Sequence, residues 1–233
     1  MVKRLTYIIL ICFLFTHTNI NAQSNKFILG VNVGVQATTI LNNNDLDDSG
    51  QLDYSVPYKM QYGLNLAYRM NRKIAFQTGL IYSAQGQNYV TNGIASADYK
   101  TTLNYLKIPI LIDWNVNSDK KLNFIFQFGF QFSNLLKAES SRARINSNNV
   151  PFGYYTSYVT DVKSFYTNMT LDVVLGPGVN YKLNNKINIG AILRMDYSLN
   201  DIEKKELKPS IRDIANNATL VLPQFYCNYT FTN

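Results

Sequence analysis

Hydrophobic and polar positions alternate along most of this chain with a period of two. That is the spacing at which successive side chains of a β-strand point to opposite faces. In residues 58–70, Tyr58, Met60, Tyr62, Leu64, Leu66, Tyr68 and Met70 share one face, and Lys59, Gln61, Gly63, Asn65, Ala67 and Arg69 share the other. Residues 122–133 place Leu122 and five phenylalanines opposite Asn123, Ile125, Gln127, Gly129, Gln131 and Ser133. Residues 187–199 set Ile187, Ile189, Ala191, Leu193, Met195, Tyr197 and Leu199 against Asn188, Gly190, Ile192, Arg194, Asp196 and Ser198. Segments 27–38, 74–88, 100–115, 166–182 and 218–231 carry the pattern less regularly. The pattern therefore predicts eight strands, each longer than the roughly five or six residues usual in soluble sheets. Each reaches the roughly 9–11 residues a tilted strand needs to cross a bilayer.

The connections fall into two alternating kinds. Segments 70–73, 116–121 and 183–186 are short and contain Asn or Asp, whereas 39–57, 89–99, 138–165 and 200–217 are long and polar. An even-numbered meander puts all short turns at one end and all long loops at the other. The expectation is an all-β fold: an eight-stranded antiparallel transmembrane β-barrel, up-and-down, with short periplasmic turns and long extracellular loops. A soluble barrel could show the same alternation with its apolar face inward. The polar face argues against it, being mostly Asn, Gln, Gly, Ser and Ala rather than the Lys and Glu of a water-facing sheet. Trp114 and several tyrosines near strand ends fit the aromatic girdles of a membrane interface.

The N-terminus adds a location. Lys3 and Arg4 precede an apolar run over 5–15, and Asn21-Ala22 precede Gln23. This predicts a secretory signal peptide over 1–22 and a barrel domain over 23–233. The run is too short for a membrane helix, which needs about 20 residues. Cys12 lies inside it behind bulky Ile11, which argues against lipidation. Removing 1–22 takes away Lys3 and Arg4 and lowers the formal net charge from +7 to +5. It also removes His17, the sole histidine, and leaves Cys227 without an intramolecular partner. The remaining Lys and Arg are scattered, so no nucleic-acid partner is expected.

Three stretches resemble a known family. Tyr105-Leu106-Lys107-Ile108-Pro109-Ile110-Leu111-Ile112 resembles the "YLEIPLLL" strand of the outer-membrane β-barrel domain family, also called porin family or PorT family proteins. Gly79-Leu80-Ile81-Tyr82-Ser83-Ala84-Gln85-Gly86 is similar to its "GLxYSxKG" strand, and Gly30-Val31-Asn32-Val33-Gly34 to its opening strand. The aromatic segment 225–231 resembles the terminal strand used by barrel-insertion machinery. Lys107, where that motif is usually acidic, and Ala84-Gln85 depart from the pattern. The resemblance implies a fold and the bacterial outer membrane. Its motifs are not catalytic, and they do not assign the chain to the family's secretion-system branch. Pro109 itself predicts a bulge or edge, since proline removes a ladder donor.

Candidate chemistry lies on the lumen face, where parity puts Lys59, Arg69, Lys107, Asp113, Asp172, Lys182, Arg194 and Asp196. An eight-stranded bore is only wide enough for side chains. Charges there must pair or be solvated, which predicts a register-fixing plug rather than a conduit. Segment 45–56 matches an EF-hand calcium loop at Asp45, Asp47, Ser49 and Gly50, but Val56 stands where the bidentate Glu should be. Without histidine, Ser-His-Asp, Cys-His and His-based zinc designs are excluded. Carboxylates such as Asp47 with Asp53 keep a membrane-enzyme alternative open. Asp201, Glu203 and Glu206, interleaved with Lys204 and Lys205, read as an exposed mixed-charge segment. The long loop 138–165 carries Arg142, Arg144, Tyr154, Tyr155 and Tyr158, residue types suited to a protein partner. The expected function is a closed structural or interaction barrel in outer-membrane lipid, with no catalytic, cofactor-binding or metal residues. A narrow channel for ions or small solutes is the first alternative.

Overall fold

In the segments with the cleanest alternation, one face is apolar and exposed and the other is polar and buried. The computed structural model describes residues 26–43, 52–91, 99–145, 155–210 and 212–231. Residues 1–22, expected to be a signal peptide, and the 44–51 part of the calcium-like loop lie outside the described residues. Among the described residues ten strands form: β1 (Lys26–Leu41), β2 (Leu52–Ser55), β3 (Tyr58–Arg69), β4 (Ile74–Thr91), β5 (Tyr99–Asn115), β6 (Leu122–Ile145), β7 (Tyr155–Asp161), β8 (Met169–Lys182), β9 (Ile187–Ser198) and β10 (Asn216–Thr230). Eight of them close a ring of antiparallel neighbours, β1-β3-β4-β5-β6-β8-β9-β10, with β10 paired back to β1. Closure leaves the eight-stranded ring without a free edge, the requirement for sheet structure inside a bilayer.

The remaining two strands correct the loop assignment. β2 pairs with the outer end of β4, and β7 pairs with the outer end of β6. Much of segment 138–165 is thus a β-ribbon rather than an irregular loop, because β6 runs for 24 residues. Local polarity hid this extension, since above the membrane both faces of a strand meet water. A bulge at Leu136 also interrupts the period. The β5–β6 register shifts between Asn104 and Tyr105, so that Leu135 and Ala138, of opposite parity, both turn inward. A second shift at Leu222-Pro223 in β10 puts both Val221 and Gln224 inside. Pro109 is not at a bulge. The β4–β5 ladder lapses opposite Gly79 and Leu80 and resumes in unchanged register, so the missing donor costs pairing without a slip. Segment 166–182 begins its strand only at Met169, after a short 3-10 turn at Lys163–Phe165.

Burial settles which way the barrel faces. Leu64, Phe124 and Phe130 are more than half exposed, while Gln61, Gln131 and Arg194 on the opposite face are fully buried. A water-facing exterior of this composition would be a continuous apolar patch far larger than soluble proteins tolerate. The soluble-barrel alternative is thereby excluded, and the apolar exterior is the lipid-facing surface. Phe27 packs on Tyr68 at 5.2 Å near the short-turn end, where Phe76, Trp114 and Tyr181 are also exposed. These aromatics form the expected interfacial band. Among the described residues, no helix is long and apolar enough to cross a membrane.

Candidate functional site

All eight charged residues expected in the lumen lie on the inner face, but they form separate groups. Lys107, Asp172, Arg194 and Asp196 come together from β5, β8 and β9. Lys107 Nζ and Arg194 Nε each lie 2.8 Å from a different oxygen of Asp196. Gln131 joins this pair to Asp172: its Nε2 donates to Asp172 Oδ2 at 2.9 Å, and its Oε1 accepts from Arg194 Nη2. Ser133 and Thr170 also donate to Asp172. Two cations thus meet two carboxylates in one bonded network, and burial of the charges is compensated. The network spans the bore from β5 and β6 to β8 and β9.

The other four positions go elsewhere. Asp113 accepts from Gln127 Nε2 at 2.8 Å, one layer nearer the short turns. Beside it Ile125, Ile192 and Tyr226 form a small buried apolar layer. Lys59 reaches Thr102 Oγ1 at 3.4 Å toward the loop end. Arg69 and Lys182 line a bowl of about 250 Å³ at the short-turn end. Below the bowl the lumen narrows to pockets of about 30 and 20 Å³.

An apolar cluster lies at the loop end, which the alternation did not predict. Ile40, Leu103, Tyr105, Leu135 and Ala138 on the inner wall pack against Ile202 and Ala215 of the β9–β10 loop. Segment 200–206 is therefore not simply an exposed charged segment. Its Ile202 is fully buried, with its backbone N–H donating to Ala215 at 2.9 Å and its carbonyl accepting from Thr167 at 2.8 Å. The flanking charges pair instead of facing water alone. Arg212 grips Glu203 through two bonds of 2.7 and 2.8 Å, and Lys208 binds Asp201. A single isoleucine in a charged loop was the only signal for this roof.

The roof carries two shifted groups. Burial pushes the Asp201 carboxyl up, but Lys208 and the Glu203 and Ala215 backbone N–H groups outweigh it and hold its pKa below the ordinary 3.8. Burial, then the Glu203 carboxylate, pushes the Tyr166 phenol up to about 12. Among the described residues no three His, Cys, Asp or Glu side chains gather as a metal site. Leu52–Ser55 of the calcium-like segment is strand β2.

Comparison with known proteins follows this architecture. The family model described as outer membrane protein beta-barrel domain matches residues 21–204. No curated protein matches the sequence. Solved structures with a similar chain path include OprG from Pseudomonas aeruginosa, at 15% identity and a TM-score of 0.44, covering 90% of this chain and 96% of that one. Neisserial surface protein A is 9% identical with a TM-score of 0.42, covering 90% of this chain and 100% of its own. The outer membrane protease OmpT from Escherichia coli is 9% identical with a TM-score of 0.47, covering 91% of this chain and 100% of its own.

Proposed function

The chain belongs to the outer membrane protein beta-barrel domain family and resides in the outer membrane, and from that premise we infer that it is a closed anchoring barrel. It conducts no solute and catalyses no reaction. Its work is done by what it holds above the membrane: the β6–β7 ribbon, the β2–β4 ribbon and the roofed β9–β10 loop. The reading is supported by side chains that pack the lumen at two levels, the Lys107–Asp196–Arg194–Gln131–Asp172 network and the Ile202 cluster. An interior filled with mutually bonded side chains stabilises register and leaves no path for solute. The outer ribbons are extensions of membrane strands, so they stand on a rigid base suited to presenting a contact surface.

Two measurements test the reading. Liposomes carrying the barrel should not swell in small sugars or amino acids, and swelling above the protein-free rate would refute closure. Surface crosslinking in intact cells should capture a discrete partner through the β6–β7 ribbon. A barrel that crosslinks to nothing under conditions that capture other surface proteins would refute the anchoring role.

A further inference from the structure

The bowl at the short-turn end is lined almost wholly by polar and charged residues, and its chemistry is one-sided. Arg69, Arg72 and Lys182 line it, with Asp119 as the one carboxylate. Arg72 pairs with Asp119 at 3.4 Å at the exposed rim, and Lys182 Nζ donates to the Ser118 carbonyl. Arg69 is half-buried on the inner wall, and its guanidinium makes no hydrogen bond or ion pair among the described residues. Across Ala75, its neighbour in register, stands Asp113, which is bonded to Gln127 instead. Asn123, almost fully buried in the bowl wall, has an amide oxygen without a partner. Turning that amide to present its NH₂ would break no protein hydrogen bond. The three short turns carry Arg72, Lys73, Lys120, Lys121 and Lys186 against the single acid Asp119. Such a basic rim raises the local concentration of anions at the mouth.

We propose that this bowl binds a compact oxyanion, a phosphate or carboxylate group, entering from the periplasmic side. Arg69 is the principal ligand, because its guanidinium offers a fork of donors that no protein group occupies. Lys182 adds a second charge, and the Asn123 amide a neutral donor. The volume, about 250 Å³, is smaller than a drug-sized pocket and suits a small anion or one terminal group. The narrow pockets beneath stop the anion at this level, so the bowl is a terminus rather than the entrance to a channel.

Calorimetric titration of the barrel, purified from outer membranes into neutral-detergent micelles at low ionic strength, tests this with inorganic phosphate and with succinate. Saturable one-site binding of at least one probe is expected. Arg69→Gln should weaken it about tenfold or more, Arg69→Lys less, and Lys120→Gln on the outer turn by no more than about twofold. Each variant is scored only if it keeps the wild-type gel shift on heating. Absence of saturable binding by both probes, or equal losses in Arg69→Gln and Lys120→Gln, would overturn the proposal. Bilayer discs identify the source of the anion. Phosphate binding that persists in phosphatidylglycerol discs marks a soluble anion, and binding lost there but kept in phosphatidylcholine discs marks a lipid headgroup.

Discussion

Arg194 is fully buried and carries the most consequence of any single side chain. It bonds Asp196 and Gln131, and its remaining Nη1 has no partner. Arg194→Met leaves the network with one uncompensated carboxylate and should cost about 3–5 kcal/mol in urea unfolding from lipid vesicles. Combining it with Asp196→Asn restores neutrality and should cost less than the sum of the two single changes. The Asp201 carboxyl offers a pH test. Its folded pKa lies below the ordinary 3.8, so its contribution to the roof is present above that value and lost as pH falls below it. Chemical shifts of the Glu203 and Ala215 amides should titrate with a midpoint below 3.8, and a midpoint at or above it would contradict the pairing. Parity alone placed the eight charges on the inner face, because period-two alternation is blind to distance but sure of side. It could not say which of them meet. That depends on strand register, and on Gln131 and Ser133, whose polar side chains looked like ordinary lumen lining.

At the scale of elements, strand identity was legible wherever one face meets lipid and the other meets the bore. It failed where that contrast ends, in the outer part of β6 and in β7, and where the bulges at Leu136 and Leu222-Pro223 flip the parity. Gly86, which closes the family-like strand motif, shows what such a motif encodes. Its φ is +147°, and an added Cβ would lie 1.9 Å from the Thr101 carbonyl oxygen of the neighbouring strand. Thr38 Oγ1 also donates to its carbonyl at 2.7 Å. Gly86→Ala should therefore destabilise the β4–β5 seam by more than about 1 kcal/mol, read as a lower unfolding midpoint at unchanged slope. An unchanged midpoint would mean that the seam yields freely.

For the whole molecule, the arrangement is asymmetric from end to end. An apolar roof lies at the loop end, a bonded charge network crosses the middle, and a basic bowl opens at the short-turn end. The fold class was readable from alternation and loop lengths, whereas the roof was not, since loop composition does not record which way a loop folds. Ile202→Asp places a carboxylate in an apolar cluster and should lift the roof. In a Cys227→Ser background, Leu135→Cys should then react with an external membrane-impermeant thiol reagent, and should resist it while Ile202 is intact. The central claim is that the lumen is sealed, and single-channel recording of the barrel in planar bilayers tests it most directly. The account predicts a flat baseline over the working voltage range. Steady, discrete conductance steps from the unaltered protein would contradict it.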